Sequence, residues 1–328
     1  MNYAGKYPFF DFSAVDTYPL SERPNKVTRD DLVAPEAALA SHIPYENEDL
    51  NTVAEQIRAA RSNGLPVIWM MGAHPVKLGL GPLIGDLIQR GLISLLATNC
   101  AGAIHDFELA LIGETSESVP NALPEGKFGM AYETGKYIND ALAYGDELML
   151  GMGESLGRMI SGEPFPYAVD FPHRALSFLY IGHSEAVPVT IHATLGTDIT
   201  DQHPNFDGRA KGGCSGRDFG IYAAEVCRLT GGGVVLNVGS AVIGPEVLLK
   251  AVSMAANIGK VPQGIVTADF DLRPVNFEHM ADESQHSYYF RDAKSVVTRV
   301  PQAFGGKGYY IQGNFAQTIP ALYQRLVK

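Results

Sequence analysis

LPVIWMMGAHPVKLGLGPLIGDLIQRGLISLLATNCAG, residues 65–102, decides the fold. Its first apolar run, Val67 to Met71, shows no polar alternation, the pattern of a strand buried on both faces of a parallel sheet. Gly72-Ala73-His74-Pro75 turns the chain. Val76, Leu80, Leu83, Ile84, Leu87 and Ile88 then recur at helical spacing, with Pro75 suited to the first helical turn and Gly91 to the C-terminal stop. A second apolar run, Leu92 to Ala97, completes a βαβ unit, for which a right-handed crossover is expected.

The same grammar continues on both sides. Leu50 to Ala60 read as a helix stopped by Asn63-Gly64-Leu65-Pro66. Around Ala175 to Glu185 another helix leads into the strand Val187 to Ile191. Phe219 to Leu229 read as a helix ended by Gly231-Gly232-Gly233, followed by the buried strand Val234 to Val238. Pro245 opens a further helix, Gly264 to Ala268 is one more strand, and Phe315 to Leu326 is a closing helix. Strands alternating with helices over this length predict an α/β fold: an open, doubly wound, mostly parallel sheet with helices on both faces. Residues 1–50 carry five prolines and little periodicity, and read as an ordered arm. Residues 51–328 read as a single domain with a helical insertion at about 115–165.

Composition narrows the function classes. The chain has 328 residues, 46% hydrophobic and 19% charged, with 35 Gly and 20 Pro, as expected of a globular enzyme-like domain with many tight turns. A net charge of −11 argues against non-specific nucleic-acid binding and weakly favours cationic substrates. Three cysteines, Cys100, Cys214 and Cys227, have neither CxxC nor Cys/His spacing, so no disulfide framework or zinc site is expected and a reducing cytoplasm fits. The N-terminus carries no basic-then-apolar signal, and no apolar run reaches membrane-spanning length.

In doubly wound sheets the ligand lies outside the carboxyl ends of the strands. The residues expected there are Gly72-Ala73-His74, Thr98 to Ala103, Thr194 to Asp198, Gly239-Ser240-Ala241 and Thr267 to Asp271. Most are small, which lets backbone N–H groups approach a pyrophosphate, and the carboxylates among them suit ribose hydroxyls. Short turns use Gly and Ser for geometry alone, and the GxGxxG fingerprint is absent. Gly182-His183-Ser184-Glu185-Ala186 lacks the last glycine of a nucleophile elbow. His192, Asp198, Asp201 and His203 match no regular metal spacing, so no metal is expected. His105-Asp106 reads as an acid/base pair or as polarity at a helix start. Tyr288-Tyr289-Phe290-Arg291-Asp292-Ala293-Lys294 sets one lysine behind an aromatic run, where partial desolvation would free the amine to attack an imine or carbonyl carbon; the alternative is a solvated surface lysine.

Taken in order, these segments resemble deoxyhypusine synthase and its bacterial relatives over roughly residues 65 to 325. The likeness is carried by Leu78-Gly79-Leu80 through Leu92-Ile93, by Thr98-Asn99-Cys100-Ala101-Gly102-Ala103-Ile104-His105-Asp106, and by Val187-Pro188-Val189 through Asp198. Gly231-Gly232-Gly233-Val234-Val235 and Thr267-Ala268-Asp269-Phe270-Asp271 continue it, and Lys294 falls where the family has its imine-forming lysine. The resemblance implies NAD as cofactor, oxidation of a polyamine-like amine next to nitrogen, and capture of the aminoalkyl group on Lys294. Transfer to a second amine, on a protein or a small molecule, would follow in a homotetramer with active sites at dimer interfaces. Departures fall at positions that contact the polyamine in the family: Asp292 replaces a tryptophan, Tyr288 an acidic residue, and Gly244-Pro245-Glu246 or their neighbours a histidine pair. Aligning Lys294 also requires a longer connection through Gly305-Gly306-Lys307-Gly308.

The expected roles follow. Lys294, His105 and His192 are the catalytic candidates. Gly72, Ala73, Thr98, Asn99, Ala101, Gly102, Gly239, Ser240, Thr267, Ala268, Asp271 and Asn314 are the cofactor contacts, and Asp198, Asp201, Tyr289 and Asp292 the substrate contacts. Two rival readings share the cofactor: an NAD-dependent amine dehydrogenase without covalent transfer, and a non-catalytic nucleotide-binding scaffold.

Overall fold

A computed structural model describes residues 3–280 and 282–328. Six strands, β1 (Val67–Met71), β2 (Leu95–Thr98), β3 (Val189–Ile191), β4 (Val234–Val238), β5 (Val266–Asp271) and β6 (Lys307–Gln312), form one sheet in the spatial order β3-β2-β1-β4-β5-β6. Every neighbouring pair is parallel, with Ile68 opposite Leu95 and Val235, and Val235 opposite Thr267. This is the doubly wound α/β arrangement, in which the winding direction reverses between β1 and β4.

The unbroken apolar runs have a direct cause. Val67, Trp69 and Met71 point into one core and Ile68 and Met70 into the other, so every β1 residue is buried. Helices α1 (Glu48–Ser62), α2 (Gly81–Gln89), α3 (Cys100–Ile112), α4 (Tyr132–Glu147), α5 (Met152–Ser161), α6 (Phe178–Ser184) and α9 (Phe315–Val327) contribute to the first core. Helices α7 (Gly208–Val226) and α8 (Ile243–Asn257), with a π-helical segment Ala293–Arg299, close the second. A Leu, Ile or Phe side chain so buried contributes about 1.5–3 kcal/mol, and both faces of the sheet are covered by them.

The arm, in its described residues 3–50, lies against this domain through more than apolar contact. Asn25–Thr28 pairs antiparallel with Glu114–Glu117. Just before it, Arg23 gives two parallel hydrogen bonds, 2.8 and 2.7 Å, to Glu108 of α3, with both side chains buried. Thr115 and Thr134 hydroxyls also donate to Glu108. Burial alone would raise the Glu108 pKa, but Arg23 and the two hydroxyls outweigh it and hold it below the ordinary value.

Several element boundaries differ from the sequence reading, each for a tertiary reason. The helix expected from Val76 to Ile88 is broken, because Gly79 takes φ +74° to let the Asp31 carbonyl pass; a Cβ there would stand 2.1 Å from that oxygen. Helix α7 begins at Gly208, well before Phe219, its apolar period diluted by Gly212, Gly213, Gly216 and Gly220. At Gly213 a Cβ would fall 2.3 Å from Asp146 Oδ1, so the glycine lets α7 close on α4. Strand β5 runs on to Asp271, and the segment read as a connection through Gly305–Gly308 leads straight into β6. Residues 119–161 hold the helix Val119–Ala122 together with α4 and α5. Among the described residues no helix is long and apolar enough to cross a membrane.

Candidate functional site

The order reversal places the β1 and β4 turns side by side. Gly72 N–H donates to the Val238 carbonyl, and a Cβ on Gly72 would lie 2.5 Å from the Gly239 carbonyl oxygen, a backbone atom with nowhere to go. Gly239 has φ +67° and would press a Cβ 2.6 Å from the Phe315 ring, which also meets His74 edge-on at 5.9 Å. Glycine at both positions therefore follows from packing; Gly72 is buried, and Gly239 exposes backbone at the rim of the crevice.

Beneath these turns, Met71, Thr98, Asn99, His192, Ser240 and Gly244 enclose a space of about 10 Å³, so a large ligand would lie across the rim above it. Thr98 Oγ1 is buried without a partner, and Gly102 keeps it uncovered, since a Cβ there would sit 2.2 Å away. Asn99 Oδ1 accepts from Gly102 N–H and caps α3, with Ala101 half-buried in its first turn. Ser240 Oγ accepts from Gly244 N–H at 2.9 Å, forming the entry to α8. His192 lies on the β3 side with Nε2 3.2 Å from Thr190 Oγ1 and its ring edge-on to Tyr222. Burial pushes its imidazole down to about 4, so it is neutral at pH 7 and able to accept a proton.

Other expected site residues go elsewhere. His105 faces the arm: its Nδ1 is 2.7 Å from Thr115 Oγ1 in the Arg23–Glu108 network, and burial, only partly offset by Glu108, pushes it down to about 4. Five residues into α3, it has turned away from the rim. Asp106 accepts from Ser177 Oγ and from Phe178 and Leu179 N–H, capping α6 rather than pairing with His105. Burial pushes its carboxyl up to about 7. Thr267 and Ala268 lie within β5 and not in a turn; both are 0% exposed, and the Thr267 hydroxyl is taken by the Val296 carbonyl. Asp271 and Asn314 do lie at strand ends, the first accepting from Arg273 Nε at 2.8 Å, the second capping α9. His203 Nε2 lies 2.8 Å from the Gly129 carbonyl. Among the described residues no group of three His, Cys, Asp or Glu is arranged to hold a metal.

The acidic loop after β3 carries a cation that the sequence did not reveal. Lys211 of α7, 1% exposed, places Nζ 2.9 Å from Asp198 Oδ2 and 2.5 Å from Asp201 Oδ1. Burial works against this ammonium, but Cys100 and the two carboxylates outweigh it and hold its pKa above the ordinary value. The single Lys211 ammonium thus offsets one of the two aspartate charges within the chain. Outside them, Phe10 and Phe12 of the arm, Phe128, Met130 and Thr197 help line a cavity of about 500 Å³; the density of aromatic residues in 3–12 was the available signal for it.

At the other end, Arg273 ion-pairs with both Asp271 and Asp292 and stacks on Phe290, 4.3 Å from the ring centroid. Asp292 also caps Ala293 N–H, so its carboxylate is engaged rather than free. Tyr289 is 67% exposed, its hydroxyl 3.3 Å from the Glu283 carbonyl. Lys294 is buried, with Nζ 3.1 Å from the centre of the Tyr288 ring. Desolvation, then Arg299 and Arg291, lower its pKa against the opposing pull of Glu283, while the ring face favours the ammonium. Strands β3 and β5 are four spacings apart, about 19 Å at ~4.8 Å each. The acidic loop and Lys294 therefore flank the crevice from opposite ends; the structure does not gather them to one point.

No family model and no curated protein matches the chain. Among solved structures it is similar to AgrE, described as a ternary complex with ornithine and NAD+: 14% identity, 90% of this chain and 34% of that one covered, TM-score 0.48. It is also similar to a LOR/SDH protein from Methanococcus maripaludis S2, at 16% identity, with 90% and 73% covered and TM-score 0.49. A third similarity is to a protein described as a deoxyhypusine synthase from Entamoeba histolytica, at 8% identity, with 95% and 96% covered and TM-score 0.41. The chain spans about a third of the length of the AgrE chains it matches.

Proposed function

We propose that this chain binds NAD across the β1/β4 turns and oxidises an amine, with Lys294 capturing the oxidised fragment. The observation that carries the reading is the reversal of strand order between β1 and β4, at which two glycine turns touch backbone to backbone. In open sheets this is where dinucleotides lie. The residues fit the group: Gly72, Ala73, Gly239 and Ser240 let backbone approach the pyrophosphate, and Thr98 offers a buried hydroxyl with no other partner. Asp271 and Asn314, with Asn99 and the α3 start at Ala101–Gly102, would meet ribose or base edges.

Bound NAD supplies the hydride acceptor. His192, neutral at pH 7, takes the proton that leaves nitrogen as the carbon–hydrogen bond next to it is broken. Lys294, once deprotonated, adds to the resulting imine carbon, releases the first amine and holds the remaining fragment as its own imine. A second amine then displaces Lys294; with a dinucleotide bound to take up and give back the hydride, the exchange would carry no net oxidation. The Asp198–Lys211–Asp201 group carries one net negative charge and would receive the cationic end of the donor, and Tyr289 and Asp292 would border the Lys294 end. Since one chain holds these groups at opposite ends of the crevice, a homotetramer in which neighbouring chains complete the site is part of the proposal.

Mass spectrometry of a co-purified dinucleotide and titration with NAD test the first step; no binding of NAD at millimolar concentration ends the reading. Borohydride trapping of an adduct on Lys294, absent from Lys294→Ala, tests the second. One observation favours a second reading, that of a nucleotide-binding protein without turnover: the carboxylates at both ends of the crevice already hold cations of the chain itself. It predicts NAD binding with no hydride exchange for any amine.

A further inference from the structure

Asn237 of β4 and Asp269 of β5 are register partners at the heart of the second half of the sheet, 0% and 1% exposed. Asn237 Nδ2 donates to Asp269 Oδ1 at 2.7 Å and to the Ser240 carbonyl at 3.0 Å. The other oxygen of each side chain, Asn237 Oδ1 and Asp269 Oδ2, is buried without a partner. A buried carboxylate with a bare oxygen, faced by an amide with a bare oxygen, is a costly arrangement: two acceptors and no donor. The charges around it do not help, since Asp292 and Asp271 stand near and oppose its ionisation, and Arg273, which favours it, is engaged by those two. A single proton resolves both deficits. Placed on Asp269 Oδ2, it can be donated to Asn237 Oδ1 while Asn237 Nδ2 donates back to Oδ1, the cyclic pairing of a carboxylic acid with an amide.

We propose that Asp269 is held as a neutral acid in such a ring with Asn237, and that it is a positioning residue, fixing through Asn237 the Ser240 carbonyl that borders the crevice. Burial also pushes the Asp269 carboxyl well above its ordinary value, in the same sense. Gly244 serves the arrangement: a Cβ there would stand 2.7 Å from Asn237 Oδ1 and 3.0 Å from Ser240 Oγ. The ring itself is independent of any ligand; its consequence for affinity rests on the dinucleotide reading above.

An amide can replace the acid in the ring, its N–H₂ donating where the hydroxyl did. Asp269→Asn is therefore the rescuing variant and Asp269→Leu the breaking one. Infrared difference spectra of the full chain at pH 7, wild type minus Asp269→Asn, should contain the C=O stretch of a protonated carboxyl. NAD titration should show affinity weakened about tenfold in Asp269→Leu and Asn237→Leu, the loss of about one buried hydrogen bond, and restored in Asp269→Asn. Absence of the protonated-carboxyl band overturns the proposal, and so does loss of NAD affinity in Asp269→Asn equal to that in Asp269→Leu; either result marks Asp269 as an ionised group facing a cation or ligand donor. If wild type binds no NAD, the function reading fails while the infrared spectrum still decides the ring. If the Leu variants do not fold, the spectrum and the Asp269→Asn titration remain decisive.

Discussion

The centre of the crevice and its flanks are built on opposite principles. At the β1/β4 turns the floor is small, uncharged and partly unsatisfied: touching glycines, a partnerless Thr98 hydroxyl and a neutral His192. At its flanks nearly everything is charged and already paired, Lys211 with Asp198 and Asp201, Arg273 with Asp271 and Asp292, and Lys294 against Tyr288. A region with spare hydrogen-bonding capacity is one that a ligand completes. A region whose charges are already paired holds the fold first, and a ligand there must displace or exploit an existing pair.

The largest test of this contrast is Lys211→Met. Removing the cation strands two largely buried carboxylates, and a loss of about 3–5 kcal/mol in urea unfolding is expected; a loss below about 1 kcal/mol would show that the pair is solvated and open to substrate. Gly72→Ala comes next, forcing a Cβ against the Gly239 carbonyl. Overpacking of this kind costs about 1–3 kcal/mol, and weakened NAD binding should accompany it; unchanged stability and affinity would mean that the turns separate easily. His192 gives an acid-side test. Its folded value of about 4 lies below that of the unfolded chain, so its contribution is intact above pH 6.5 and is lost as pH falls through 4. On going from pH 7.5 to 4.5, wild type should lose about 2–3 kcal/mol more than His192→Gln, and equal losses would contradict a buried neutral imidazole. The smallest effect belongs to Tyr288→Leu. Without the ring face the ammonium of Lys294 is less favoured, and borohydride trapping with a small aldehyde at pH 8 should quicken about two- to fivefold; slower trapping would show that Tyr288 shields the amine from protonation.

The sequence made the centre of the sheet plain and its margins obscure. Strands β1 and β4 were legible because burial on both faces leaves a short, almost wholly apolar run, here bounded by glycine or proline on either side. Strand β6 was not: Lys307-Gly308-Tyr309-Tyr310 is an edge segment, only partly buried, and its glycine reads as a turn. The glycine turns of the crevice could be placed as soon as the strands were placed. Lys211, Arg273 and the Asn237–Asp269 pair could not, because each partnership joins residues whose proximity only the fold creates. His105 shows the converse error: adjacency in sequence to a rim turn does not survive five residues of helix.

The Gly72–Gly239 contact has a mechanical consequence. With peptide resting on peptide and no flexible side chain between them, the two halves of the sheet meet at this point without room for even one added methyl group. Under the proposed reaction, shielding an amine from water would fall to peripheral parts such as the aromatic residues of the arm around Phe10 and Phe12, and not to this central seam.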